Sequence, residues 1–291
     1  MKLTKAEILR DLSNLNSNLK FKIPKVLVFK HSEWKKNKDS VIKDIQKTFK
    51  RRSLAIRSSA QDEDTGNSTN AGKFKSIMNI SSINKKSLIN SINKVFNSYS
   101  LHRRIYPNDQ ILVQVMIKKI SMSGVIFTKN LENGSPYFVI NYDDISGLTS
   151  SVTSGIGESS NRILYIHRSY YKEIRSPRFK ILVDAVIDLE NKLSNSNLDI
   201  EFAVDKKLVP YLLQVRSLHK NKTFSKNLEN KLKNKLKKVS LRIKRKLSKQ
   251  KNILGSKSIF GNMPDWNPAE IVGRMPRNLA LSLFQNIIKD N

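Results

Sequence analysis

Residues 199–218 read Asp199-Ile200-Glu201-Phe202-Ala203-Val204-Asp205-Lys206-Lys207-Leu208-Val209-Pro210-Tyr211-Leu212-Leu213-Gln214-Val215-Arg216-Ser217-Leu218. Two apolar runs flank a short turn at 205–208, which predicts a β-hairpin. Side chains alternate faces along a strand, so Asp199, Glu201 and Ala203 share one face, and Leu212, Gln214 and Arg216 share one on the partner strand. A carboxylate, an amide oxygen and a guanidinium then point into one cleft. That set suits Mg²⁺ coordination by oxygen, with a cation aimed at a transferring phosphate. The same residues also make an ordinary cross-strand Glu/Arg ion pair on a solvated face. The hairpin alone does not separate these two readings.

Working outward, residues 111–218 are rich in strand patterns. Segments 111–117, 124–128, 137–142, 162–166, 200–204 and 209–215 are apolar and β-branched. One helix is expected at 179–193, with Ile181, Leu182, Ala185, Val186, Leu189 and Leu193 at helical spacing. Consecutive strands with few helices argue for an antiparallel or mixed sheet and an α+β chain. Residues 1–110 mix the two periods. Helices are expected at 5–15, 41–49 and 86–99, and strands at 24–29, 54–57 and 77–80. No short repeat is visible.

The second informative stretch is Leu54-Ala55-Ile56-Arg57-Ser58-Ser59, which continues through a polar segment to Ala71 and Gly72. An arginine closing a buried strand is costly unless its charge is used. Small residues after it allow close backbone approach to a phosphate, with several N–H donors at hand. An ordinary Ser/Gly turn beside a surface arginine reads the same way. Neither a GxxxxGK[ST] loop nor a GxGxxG before a helix occurs. In the strand at 111–117, Gln114 and Met116 are compatible with an adenine wall or with plain core packing. His31, His102, His167 and His219 have no metal-ligand spacing and no exposing Gly/Thr/Ser-rich loop. They are expected to be surface or packing residues.

Charge excludes less than it first suggests. The 291 residues carry 54 Lys+Arg against 24 Asp+Glu, a net charge of +30, and no cysteine. Disulfides, thiolate zinc sites and cysteine nucleophiles are thereby excluded. Lysine outnumbers arginine 39 to 15, and 29 residues are asparagine. Both abundant residues have A-rich codons, so low-GC coding yields this composition without selection for a polyanion, and base readout favours arginine forks. Between 220 and 257 there are 15 Lys/Arg and one acid, Glu229, with leucines at helical spacing. This is expected to be a basic amphipathic helix: a solvated connector, an RNA- or membrane-surface helix, or one resting on a partner. No apolar run approaches the ~20 residues that span a bilayer, and the first residues lack a signal-peptide core. A cytoplasmic chain is expected.

Order and spacing point further than any single motif. The stretch LAIRSSAQDEDTGNSTNAGKFKSIMNI is followed by ILVQVMIKKISMSGVIFTKN, and then by DIEFAVD and YLLQVRSL. Together with Thr4-Lys5-Ala6 and IPKVLVF near the start, these resemble the N-terminal nucleotide-binding domain of the phosphoenolpyruvate synthase and pyruvate phosphate dikinase family. The resemblance covers about residues 1–218. It implies an ATP-grasp-like α+β fold: two subdomains, 1–110 and 111–218, with a mixed or antiparallel sheet around a nucleotide cleft. A basic helical linker at 219–258 and the start of an acceptor domain at 259–291 would follow. By the same resemblance, Arg57, Arg216 and Lys5 act on the ATP phosphates, and Glu201 and Gln214 hold Mg²⁺. Ala71 and Gly72 cradle phosphate, and Gln114 and Met116 line the adenine pocket. Phe202 stands where the family has Trp, Thr4 and Ala6 replace glycines beside Lys5, and Phe127-Thr128-Lys129-Asn130-Leu131 departs from the family's Phe-Thr-x-Asp-Pro. Two shorter stretches, 141–147 and 263–270, resemble a branch found in bacterial surface-polysaccharide gene clusters, which includes an L-glutamine kinase of capsule biosynthesis.

The resemblance implies an ATP- and Mg²⁺-dependent kinase or phosphotransferase with paired acceptors, incomplete as a single chain. Phosphate would pass toward a carrier histidine on a missing domain or a separate chain, with L-glutamine or pyruvate as final acceptor. The competing readings are a nucleic-acid-binding protein that uses the 220–257 helix, and an inactive remnant or scaffold.

Overall fold

The computed structural model describes residues 4–14, 19–60, 74–147, 162–218, 224–247, 254–256 and 275–286. The chain divides into two units, Met1–Glu229 and Asn230–Asn291. The first is built on two sheets. One has β1 (Val26–Lys30), β2 (Ser53–Ser59), β3 (Ser76–Ser81) and β4 (Gln110–Val115) in the order β1-β4-β2-β3. The other has β5 (Ile120–Phe127), β6 (Tyr137–Asp143), β7 (Arg162–His167), β8 (Leu198–Asp205) and β9 (Pro210–Ser217) in the order β7-β6-β5-β8-β9. Every strand pair in both sheets is antiparallel. The α+β class is as expected.

Helices complete two separate cores. Against the first sheet lie α2 (His31–Lys36), α3 (Lys38–Phe49) and α4 (Lys85–Ser100), contributing Trp34, Ile42, Ile45, Phe49, Leu88 and Ile92. The side chains of Asn37 and Asn84 accept hydrogen bonds from Ser40 N and Ser87 N, each at 2.9 Å, and so start α3 and α4. The second core joins α1 (Lys5–Asn14) and α5 (Pro177–Leu193) to the five-stranded sheet, through Leu9, Leu12, Leu182, Val186, Phe202 and Leu212. Pro177 opens α5 in the first turn, and Ser194 closes it in the left-handed region at φ 48°.

The division expected at residue 110 falls at the start of β4. β4 is a central strand of the first sheet, and α1 packs with the second core. An apolar run reveals a strand but not the sheet it joins. One glycine in the central strand β5 is sterically required. A Cβ on Gly124 would lie 2.0 Å from Asn141 O and 2.8 Å from Tyr142 Cα on β6. No side chain fits that approach.

The second unit takes most of α6 (Lys226–Lys246), none of whose residues is buried, and α7 (Asn278–Phe284). Within the 220–257 span expected to be a basic helix, α6 covers Lys226–Lys246. Residues 263–270 lie outside the described residues. No described helix is long and apolar enough to cross a membrane.

Candidate functional site

β2 carries Arg57 between Leu112 of β4 and Ser76 of β3. Its side chain is only 7% exposed, and Nη1 donates to Glu201 Oε2 at 2.8 Å. This bond joins the two sheets across 144 positions of sequence. Glu201 sits on β8 opposite Gln214 of β9, and its side chain keeps 19% exposure. Two steps away, Asp199 faces Arg216, whose Nε donates to Asp199 Oδ2 at 2.6 Å. The hairpin thus places Asp199, Glu201, Gln214 and Arg216 together, as its alternation predicts. Ala203 and Leu212 do not continue the pattern. A bulge between Glu201 and Phe202 pairs Phe202 with Leu212 and Ala203 with Tyr211. All but Tyr211 among these four are fully buried.

Some polar capacity at this cluster is unspent. Arg57 Nε is buried with no hydrogen-bond partner among the described residues. A buried donor without a partner costs on the order of 1–3 kcal/mol, so its presence beside a carboxylate calls for an acceptor. Among the described residues, Glu201 meets Arg57 through Oε2 alone. Among the described residues no group of three or more Asp, Glu or His could hold a metal ion. Mg²⁺ does not require one, since it commonly takes one or two protein oxygens and completes its shell with phosphate and water. Glu201 and the facing Gln214 fit that smaller demand.

The other expected residues separate. Gln114 is 1% exposed on β4, between Val26 and Ala55, and its Nε2 donates to Leu213 O at 3.3 Å. It ties the first sheet to the hairpin. Met116 lines a cleft of about 560 Å³ with Lys22, Phe49, Arg52 and Tyr211, and Gln114 is not part of that lining. Ala71 and Gly72 lie outside the described residues.

Lys5 is the first residue of α1 and is 6% exposed. Its setting is a network that sequence reasoning missed. Thr4 N donates to Glu7 Oε2 at 2.8 Å and Glu7 N to Thr4 Oγ1 at 3.2 Å, a reciprocal cap. Thr4 Oγ1 donates to Gln110 Oε1, and Gln110 Nε2 donates to Glu7 Oε1, both at 2.8 Å. Ala6 N donates to Ser59 Oγ at 3.2 Å, two residues past Arg57 on β2. Tyr99 Oη accepts from Ser59 N at 2.8 Å and donates to Gln110 O at 2.7 Å. Burial pushes the Glu7 carboxyl up, but hydrogen bonds from Thr4 and Gln110 outweigh it and hold the group below its ordinary range. The Thr4/Glu7 spacing was a readable signal, whereas the partner at Gln110 was not.

The described histidines are packing or surface groups. His31 lies on Phe96 at 4.7 Å, His167 on Tyr137 at 5.0 Å, and the exposed His102 meets Phe74 at 5.7 Å. Burial, aided by Lys35, holds the His31 imidazole below its usual range. His219 lies outside the described residues.

Residues 28–169 match the family model of the pyruvate phosphate dikinase AMP/ATP-binding domain. That span is just under half of the chain. The match includes Arg57, Gln114 and Met116, begins after Lys5, and ends before Glu201, Gln214 and Arg216. No curated protein matches the chain. Among solved structures, D-alanyl-alanine synthetase A from Vibrio cholerae is 12% identical at a TM-score of 0.42, over 74% of this chain and 59% of that one. The D-alanine-D-alanine ligase from Helicobacter pylori is 10% identical at 0.38, over 74% and 50%. PH1788 from Pyrococcus horikoshii is 12% identical at 0.46, over 74% and 90%. The chain spans about half to three fifths of the length of the first two. Likenesses this loose carry no argument.

Proposed function

We propose that this chain is the ATP- and Mg²⁺-binding part of a dikinase-type phosphotransferase. Phosphate leaves ATP for a carrier histidine on another domain or chain, and L-glutamine or pyruvate is the final acceptor. The observation that carries this reading is the cluster of Arg57, Glu201, Gln214 and Arg216, reached from two sheets, with one of its strands inside the matched nucleotide-binding segment.

Phosphoryl transfer asks for positioning and charge neutralisation more than for covalent chemistry. Arg57 and Arg216 supply two cations on strands, with Arg216 oriented by Asp199. Arg57 Nε is already desolvated, so an incoming phosphate oxygen satisfies a donor that lacks a partner among the described residues. Glu201 and Gln214 would hold Mg²⁺, which spreads phosphate charge when bound. Glu201 would be shared between Arg57 and the metal, and Arg57 would face the nucleotide. Lys5, pinned by the Thr4–Gln110–Glu7 network, is assigned the third cation. Met116 is assigned to the adenine, and Ala71 and Gly72 to the phosphate loop.

Calorimetric titration of ATP into the wild-type chain and Arg216→Ala tests the reading. Losing a charge-assisted hydrogen bond of roughly 1.5–3 kcal/mol predicts at least about tenfold weaker binding. Equal binding by both proteins, or by neither, sinks it.

A further inference from the structure

α6 is 21 residues long and carries ten cations, eight of them lysine, against the single acid Glu229. At about 100° per residue, Leu228, Leu232, Leu236, Val239 and Ile243 fall within an arc of about 80°. The cations occupy most of the remaining circumference. Leu228 is 52% exposed, Val239 51% and Ile243 39%. The helix therefore presents an apolar stripe, half-buried at Leu232 and Leu236 and exposed at the other three positions, and a dense, mostly exposed positive face, and the nucleotide reading employs neither.

We infer that α6 is an in-plane docking helix for an anionic lipid surface. The charge is complementary to acidic headgroups, and lysine suffices there, because a surface potential attracts point charges without demanding a fork. The apolar stripe decides between polyanions. A nucleic-acid backbone neutralises the lysines but offers the leucines and valine nothing to bury against. A headgroup–acyl boundary takes both faces at once, with the helix lying flat. About 31 Å of helix, at 1.5 Å per residue, is charged along its whole length, so it lies on the bilayer rather than across it. The docked enzyme would then meet an acceptor, or a partner chain, that is itself held at the membrane.

The test uses the full chain and sedimentation with vesicles. Wild type is expected to pellet with equal parts phosphatidylglycerol and phosphatidylcholine, and to stay in the supernatant with phosphatidylcholine alone. Replacing Lys235, Lys237, Lys238 and Lys244 together by Gln weakens the binding at least about tenfold, given the per-charge attraction at an acidic surface. Replacing Leu232, Val239 and Ile243 together by Gln, which keeps helix propensity and all charge, weakens it to a similar degree. Wild-type binding to neither vesicle overturns the inference. So does apolar-variant binding equal to wild type, which leaves only diffuse charge, or tighter binding to a single- or double-stranded RNA. Neither set of substitutions lies on β2, β8 or β9. ATP affinity measured on the same proteins therefore tells failure of this inference from failure of the nucleotide reading.

Discussion

Arg57 and Arg216 stand on strands with side chains 7% and 25% exposed, each bonded to a carboxylate within 2.8 Å. The ten cations of α6 stand on a helix with no buried residue. The first region holds two positive charges and the second holds most of a local excess, yet their energetic weights run the other way. Out of water, a charge interacts strongly and must be matched. In water it is screened, and most single pairs are worth little. Counting charges therefore says little about chemistry here, whereas burial and partner say much.

The largest effect expected from this contrast is on stability. Arg57→Met leaves Glu201 without its cation in a setting only 19% exposed. Urea unfolding should show a loss of about 2–3 kcal/mol, below the full penalty for a wholly buried orphan. Adding Glu201→Gln should recover much of it. By contrast, single Lys→Gln changes on α6 should stay within about 0.5 kcal/mol. If Arg57→Met behaved like those lysines, the contrast would collapse.

A smaller effect sharpens the same point for Lys5. Gln110→Leu removes an acceptor for Thr4 and a donor to Glu7. The loss should be about 1–2 kcal/mol by the same unfolding measurement, because partly buried partners lose their bonds. Weaker ATP binding should accompany it if the network positions Lys5. Stability loss with unchanged affinity would confine the network to holding α1.

The smallest effect is on pH dependence. Glu7 is held below its ordinary value of 4.5 in the folded chain. The folded state then binds fewer protons than the unfolded one around that value. The stabilisation is present above about 4.5 and is lost as pH falls through the lowered folded value. Glu7→Gln should lower the melting temperature at neutral pH, converge with wild type as pH falls below the lowered value, and so flatten the acid limb of the profile. An unchanged acid limb would remove Glu7 from the account.

Particular residues mark what was legible in the chain. Period-2 alternation put Asp199 and Glu201 on one face and Gln214 and Arg216 on one face of the partner strand, and the structure pairs Glu201 with Gln214 and Asp199 with Arg216. The bulge after Glu201 was invisible, since nothing in Phe202-Ala203 announces an extra residue. The strand at Gln110–Val115 was readable as a strand, but its sheet was not: partners 50 or more residues away are set by packing, not by local pattern. The same limit hid the Arg57–Glu201 bond and the role of Gln110. The first could be suspected only as two costly charges in separate strands, each needing a partner.

Calorimetry of ATP binding with and without Mg²⁺, on the wild-type chain and on Glu201→Ala, bears most directly on the idea that the strand-borne charges form a metal–nucleotide site. The account predicts that wild type binds ATP more tightly with Mg²⁺ and that the substitution abolishes this difference. A Glu201→Ala chain that keeps the full Mg²⁺-dependent gain would contradict it.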